Sequence, residues 1–379
     1  MAKAIFNHVR IRGIKTIVPD RFIDIDDEIE YFGNSVRQLE RAKKMVGFGR
    51  RPVLPEGVTV VDLCEKAAAD LLGELGTDRG GIDALILVNQ SPDYFFPASS
   101  YLLHDRLGLG EECAVFDVGL GCSGYVYGLW LAHSLIASGA STRVLLVAGD
   151  SASTHADLRN RLYAPLFGDA ASATLLEHEP GDNPAWFALG ARGAGWDKIV
   201  VPAGGRRLPI RKDMCDVEVQ DAAGNVWHPW DGIIRGMDIF NFTMEVVPGN
   251  IRELLAFAGK GMDEIDFFAL HQANKQIVET IVAKTGIPRE KTSWETFSRY
   301  GNNSTTSVAT VLCDQRGERP PLGRCLLSAF GVGLSWGSAI VGLEGCHNGG
   351  IGLYPTPAGL PGRAEQLEAW IRYFLGDQR

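Results

Sequence analysis

Twice along this 379-residue chain, short apolar strands alternate with longer helix-like segments, and both runs close on an apolar strand, a glycine-bearing turn and a second apolar strand. In the first run, Ala84-Leu-Ile-Leu-Val-Asn89, Cys113-Ala-Val-Phe-Asp-Val118 and Arg143-Val-Leu-Leu-Val-Ala148 read as strands. Ser99 to Leu109 and Ser123 to Ala137 read as helices, and Ala171 to Leu176 is the returning strand after the Gly168-Asp169 turn. In the second run, Asp238 to Ala258 reads as a helix that Pro248-Gly249 should kink or interrupt. Asp266 to Leu270 is a strand, and Gln272 to Thr285 is a helix stopped by Gly286 and Pro288. Ser304 to Asp314 is a helix, and Arg324 to Ala329 and Ser338 to Leu343 are the closing strands. Continuous apolar strands separated by helices require a sheet covered on both faces.

The pattern therefore predicts an α/β fold of two similar halves, residues 1–180 and 236–346. Residues 181–235, rich in Gly, Pro and Trp, read as an irregular insertion or linker, of the kind that is often functional. Residues 347–379 read as an extension that opens as a Gly/Pro-rich linker. It ends in an amphipathic helix, Arg363 to Leu375, with Leu367, Trp370, Ile371 and Phe374 on one stripe. Such a stripe is expected to pack on its own fold or on a dimer mate.

Composition narrows the function classes. A formal charge of −9 argues against a nucleic-acid backbone as the main partner. No run of about 18 apolar residues exists to span a membrane, and Met1 to His8 lacks the apolar core of a secretory signal. The seven cysteines (Cys64, Cys113, Cys122, Cys215, Cys313, Cys325 and Cys346) are odd in number, scattered and without a CxxC pair. They read as reduced thiols in a cytoplasmic setting, with neither a disulfide frame nor a metal site.

Four segments carry candidate chemistry. In Phe116-Asp-Val-Gly-Leu-Gly-Cys122-Ser-Gly124, a strand runs through a tight turn into a helix, and Cys122 stands where the helix begins. Unpaired backbone N–H groups there favour a thiolate, so a lowered pKa and a nucleophilic sulfur are expected. The ordinary alternative is a small buried cysteine. The same residues spell GxGxxG over 119–124, with Asp150 as the acid of a dinucleotide site, which keeps a nucleotide-dependent dehydrogenase in view. His271, in Leu270-His271-Gln-Ala-Asn274, lies at a strand end before a helix, where an imidazole is pushed toward neutrality and can donate one Nε2–H. Asn302, in Tyr300-Gly-Asn302-Asn303-Ser, supplies an amide, although a helix cap is its usual use. Phe330-Gly-Val-Gly333-Leu-Ser-Trp-Gly337 is a turn whose N–H groups suit an oxyanion hole. A thiol, a neutral imidazole, an amide donor and a glycine turn form a set suited to acyl-thioester chemistry.

With Phe167-Gly-Asp-Ala added, these five ordered motifs resemble the thiolase superfamily, and within it the β-ketoacyl-acyl-carrier-protein synthase III family, over roughly residues 4–345. The resemblance implies a thiolase-like five-layered αβαβα fold, a homodimer and an acyltransferase of fatty-acid or related lipid metabolism. It implies no cofactor beyond acyl and malonyl thioesters of coenzyme A or an acyl carrier protein. Catalytic roles fall on Cys122, His271 and Asn302, with Asn302 selected over Asn303 because it directly follows the glycine. The backbone N–H groups of Cys122 and Val332 would form the oxyanion hole, Val332 standing where relatives usually carry glycine. Phe330 would guard the site, and Phe96 would reach toward the partner's acyl pocket.

The implied reaction is a ping-pong decarboxylative condensation through an acyl-Cys122 intermediate. Acyl transfer to an oxygen or nitrogen acceptor without decarboxylation is the alternative. The chain departs from the family where relatives hold coenzyme A with a Trp-Ile-x-x-Arg-Thr-Gly-Ile segment. Arg41-Ala-Lys-Lys-Met-Val-Gly-Phe48 stands there instead. Lys43, Lys44, Arg50 and Arg51 remain as positive charge for a phosphate or an acidic carrier. Lys275 lies beside the position where relatives use a basic residue for carrier docking, which is Gln276 here.

Overall fold

A computed structural model describes residues 2–315 and 322–376. Among the described residues, eleven strands build two large sheets. In chain order they are β1 (Ala2–Phe6), β2 (Val9–Pro19), β3 (Ala84–Val88), β4 (Ala114–Val118), β5 (Arg143–Asp150) and β6 (Ala170–His178). There follow β7 (Ala185–Ala191), β8 (Phe267–Leu270), β9 (Arg324–Gly331), β10 (Ser335–Gly342) and β11 (His347–Tyr354). The first sheet runs β11-β2-β6-β5-β3-β4 and the second β1-β7-β10-β9-β8. Each contains the same arrangement: a parallel pair (β3 with β5, β8 with β9) followed by an antiparallel return (β5 with β6, β9 with β10).

The helices are α1 (Val36–Val46), α2 (Val60–Leu75), α3 (Ser99–Leu107), α4 (Gly124–Ala137), α5 (Gly236–Ala258), α6 (Lys275–Thr285), α7 (Glu295–Tyr300), α8 (Ser307–Cys313) and α9 (Arg363–Phe374). Tyr125, Val126 and Leu129 of α4 and Val308, Val311 and Leu312 of α8 join one buried cluster with inward residues of both sheets. The remaining faces are covered by α2 and α3 on the first sheet and by α5 and α6 on the second. The result is five layers, αβαβα. Helix α8 is buried all round, and α4 keeps a half-buried flank at Tyr127, Trp130, Leu131, Ser134 and Leu135.

Three elements differ from the sequence expectation. The stretch 181–235 is not irregular throughout: it opens with β7, a strand paired on both sides within the second sheet. Its alanines and glycine blurred the apolar pattern. The extension likewise begins with structure, because β11 pairs in parallel with β2 despite its Asn-Gly-Gly run, absorbing a register shift at Asn348/Gly350. Helix α5 continues through Pro248, with Val247, Ile251 and Leu254 buried beside it, so tertiary packing overrides the lost backbone bond. Among the described residues, no helix is long and apolar enough to cross a membrane.

Candidate active site

Cys122, His271, Asn302, Phe330 and Val332 line one cavity of about 520 Å³. Each arrives from an element fixed elsewhere. Cys122 follows β4 and precedes α4, and His271 follows β8. Asn302 follows α7, and Phe330 and Val332 belong to the β9–β10 hairpin. The turn before α4 is tight. A Cβ on Gly124 would lie 2.6 Å from Val88 and 2.9 Å from Thr305. Gly331 is equally constrained: its φ is +157°, and a Cβ there would lie 2.7 Å from both Cβ and Sγ of Cys122. The turn and the hairpin are also tied by a Ser123–Ser335 hydroxyl bond of 2.7 Å, and Ser335 Oγ donates to the Val332 carbonyl at 2.9 Å.

Cys122 is buried, and loss of water pushes its thiol up to about 11. The Val332 N–H and the Cys122 N–H act the other way, favouring the thiolate, while the Asp150 charge adds to the rise. This corrects the lowered value expected from the helix start: loss of water outweighs the local N–H groups. The two N–H groups converging on Cys122 are those of Cys122 and Val332. The Val332 side chain faces Gly121, where a Cβ would meet it at 2.4 Å.

His271 is buried, and its pKa falls to about 3 through loss of water. It is therefore neutral across the physiological range, as expected, although the cause is burial rather than the helix dipole. Its backbone N–H donates to the Ser328 carbonyl at 2.8 Å, and its ring meets Phe330 edge to face at 5.3 Å. Its Nδ1 has no hydrogen-bond partner among the described residues. The neighbouring Gln272 braces the turn by donating to the Leu270 and Ser293 carbonyls.

Asn302 accepts from the Ser304 N–H through Oδ1 at 2.9 Å, so Nδ2 is the end of the amide left to donate. Its backbone is clasped to Leu166 and Gly168 of the other half. Asn303 lies outside the cavity lining, with its Nδ2 donating to the Gly168 and Tyr300 carbonyls. Asp169 of the Phe167-Gly-Asp motif is buried, accepts from Ser153 and Leu54, and is pushed up to about 6 by burial.

Other expectations change. Arg51 is 3 % exposed and forms a two-pronged ion pair with buried Glu28 at 2.6 and 2.7 Å, so it serves the fold and not a ligand. Lys43 is paired with Asp26 and Glu40. Arg50 and Lys44 are exposed, and Lys275 opens α6 between the cavity-lining Asn274 and Ile277. Phe96 is 83 % exposed and stands outside the cavity of its own chain. The dinucleotide reading fails because Asp150 accepts four protein hydrogen bonds and the 119–124 turn is packed against Val88, Thr305 and Gln90.

Asp150 and Ser304 are both on the cavity wall; the sequence reading gave Asp150 only a dinucleotide role and gave Ser304 none. The strand-end argument used for His271 applies to Asp150 too and was the available signal. Ile199 and Ile234 of the 181–235 segment also line the cavity. That segment approaches closely because Gly232 faces the Tyr163 ring, where a Cβ would lie at 2.2 Å.

Two family profiles match this chain: 3-oxoacyl-[acyl-carrier-protein] synthase III over residues 116–193, and the C-terminal part of the same enzyme over residues 255–343. A Campylobacter jejuni protein provisionally named 3-oxoacyl-[acyl-carrier-protein] synthase 3 is 37% identical over 353 residues, covering 93% of this chain and 99% of the relative. A Streptomyces coelicolor β-ketoacyl-[acyl-carrier-protein] synthase III is 33% identical, covering 87% of this chain and 95% of the relative. The crystal structure of a 3-oxoacyl-(acyl-carrier protein) synthase from Burkholderia xenovorans superposes with a TM-score of 0.83 at 34% identity, covering 94% of this chain and 99% of the other. Fold, motif order and near full-length similarity agree, and the chain belongs to the 3-oxoacyl-[acyl-carrier-protein] synthase III family of condensing acyltransferases.

Proposed function

We propose that Cys122, His271 and Asn302 catalyse decarboxylative condensation of an acyl thioester with a malonyl thioester. The carrying observation is their convergence on one cavity, with the N–H groups of Cys122 and Val332 directed at the sulfur. In the first half-reaction, Cys122 sulfur bonds to the acyl carbon and the donor's C–S bond breaks. The thiol proton leaves with the departing carrier as its free thiol. The two N–H groups hold the oxyanion of the tetrahedral intermediate. In the second, the malonyl C–C bond to the carboxylate breaks and carbon dioxide departs. The electron pair becomes an enolate whose oxygen accepts from a His271 ring N–H and from Asn302 Nδ2. The enolate carbon bonds to the acyl carbon, the Cys122 C–S bond breaks, and the sulfur recovers a proton from solvent. A neutral His271 suits a donor role and not the removal of a proton at pH 7.

No cofactor is needed for these steps. The carrier of either thioester is a phosphopantetheine group, of coenzyme A or of an acyl carrier protein. Exposed Lys44 and Arg50 and half-buried Lys275 are the charges available to it. Mass spectrometry of the protein across a panel of acyl donors, paired with carbon dioxide release from a malonyl thioester, tests the reading. The expected result is a single acyl adduct on Cys122 and malonyl-dependent gas release. An adduct without decarboxylation would return the reaction to simple acyl transfer.

The working unit in this proposal is a homodimer. Strand β4 is the free edge of its sheet, and Asp117 on it accepts from the N–H groups of Ser99 and Ser100, holding the Tyr94-Phe95-Phe96 loop close by. Phe95 and Phe96 are 75 % and 83 % exposed. Tyr94 touches Trp370 of α9, whose Leu367, Ile371 and Phe374 are also exposed. A free edge beside so much aromatic surface is a liability unless a second copy covers it. Sedimentation velocity should give twice 41.1 kDa for the full chain. Phe96→Glu combined with Trp370→Glu should raise the dissociation constant at least about tenfold. A native monomer, or a dimer indifferent to both changes, would remove the proposal.

A further inference from the structure

Asp150 ends β5 and is 3 % exposed. Its Oδ1 accepts from the Gln90 N–H at 2.9 Å and the Ser91 hydroxyl at 3.0 Å. Its Oδ2 accepts from the hydroxyls of Ser304 at 2.7 Å and Thr305 at 2.6 Å. Ser304 has a φ of +45°, a conformation a β-substituted residue adopts only when its surroundings impose it. In that conformation its N–H donates to Asn302 Oδ1 at 2.9 Å. A continuous path therefore runs from the loop after β3, through the carboxylate and Ser304, to the amide in the cavity.

We propose that Asp150 is the positioning residue that aims the Asn302 carboxamide, acting through Ser304 across the junction of the two halves. The inference rests on the enolate-holding role given to Asn302 above. Only a carboxylate accepts four donors at once in this place. An asparagine offers one oxygen and one NH₂. The Gln90 backbone N–H is fixed, so the oxygen of Asp150→Asn must turn toward it. The NH₂ then faces Ser304 and Thr305, whose hydroxyls must rotate to accept. The bond that holds Ser304 at positive φ is reversed and loses its charge, so the Asn302 amide is held less firmly. The variant also removes a negative charge whose presence raises the Cys122 thiol. Decarboxylation should thus slow while Cys122 becomes easier to ionise.

The experiment uses the full-length enzyme and four proteins: wild type, Asp150→Asn, Asn302→Ala and the double variant. Carbon dioxide release from malonyl-coenzyme A and the pH profile of Cys122 alkylation by iodoacetamide are measured for each. Asp150→Asn should lower the decarboxylation kcat about 10- to 100-fold, with KM changed less than about threefold. Its alkylation midpoint should move to lower pH. In the Asn302→Ala background the same change should cost less than about threefold, because the residue it aims is already gone. Where Asp150→Asn fails to fold, Ser304→Ala carries the test, since it deletes one hydroxyl and leaves three donors on the carboxylate. It should also lower kcat, by about tenfold, and lose that effect in the Asn302→Ala background. If Asn302→Ala decarboxylates normally, the catalytic reading itself falls. If Asn302→Ala is impaired but the Asp150 loss multiplies with it undiminished, only the positioning role falls.

Discussion

Cys122→Ala protein should take up no label from a radiolabelled acyl thioester and should lose condensation by about 10⁴-fold or more. It should still release carbon dioxide from a malonyl thioester, within about tenfold of wild type, because the donors assigned to the enolate are untouched. The separation follows from geometry: the sulfur comes from the turn before α4, and His271 and Asn302 come from the other half. In wild type the thiol has its pKa pushed up to about 11, so the ionised fraction grows with pH. Alkylation of Cys122 by iodoacetamide should therefore rise about tenfold per unit between pH 7 and 10. A plateau reached below pH 8 would mean that the helix-start N–H groups dominate burial after all. Full condensation activity in a folded Cys122→Ala protein would end the proposed chemistry.

The second large effect concerns the enolate. His271→Ala and Asn302→Ala should each lower decarboxylation by about 10²- to 10³-fold while leaving acyl labelling of Cys122 in place. His271 also ties stability to pH, with a definite sign. Its folded pKa of about 3 lies below the 6.5 of an unperturbed imidazole. Between those values the unfolded chain binds a proton that the folded chain does not, so stability falls as pH drops from about 6.5 toward 3. The slope for this one residue is about 1.4 kcal/mol per pH unit. Buried His133, lowered to about 4, contributes in the same direction. His271→Gln should flatten the urea-midpoint profile between pH 6 and 4 relative to wild type. An unchanged profile would show that the imidazole titrates freely in the fold.

Much of the site was legible before any coordinates, because its parts share a local signature. Cys122 and His271 each sit where an apolar strand ends and a helix is about to begin, and Asn302 follows a glycine that must turn the chain. Strand periodicity, glycine punctuation and helix stops depend on neighbours a few residues away, so the two-half architecture was visible as well. Strands β7 and β11 were not, since their Ala- and Gly-rich stretches become strands only because β10 and β2 offer them hydrogen-bonding edges.

Charge states and partners were the least legible. Arg51 reads as a ligand-binding cation beside Arg50, yet Glu28 holds it inside the protein. Cys122 reads as an activated thiol, yet enclosure by β9, β10 and Ser304 keeps it protonated. Asp150 reads as the acid of a dinucleotide fingerprint, yet it binds hydroxyls 154 and 155 residues further along the chain. Patterning along the chain decides which segments become strands, helices and turns, because backbone sterics and apolar spacing act over a few residues. Desolvation and the sharing of hydrogen-bond donors depend on which distant surfaces meet. Folding alone therefore determined that a thiol, an imidazole and an amide face one another, and in what protonation state.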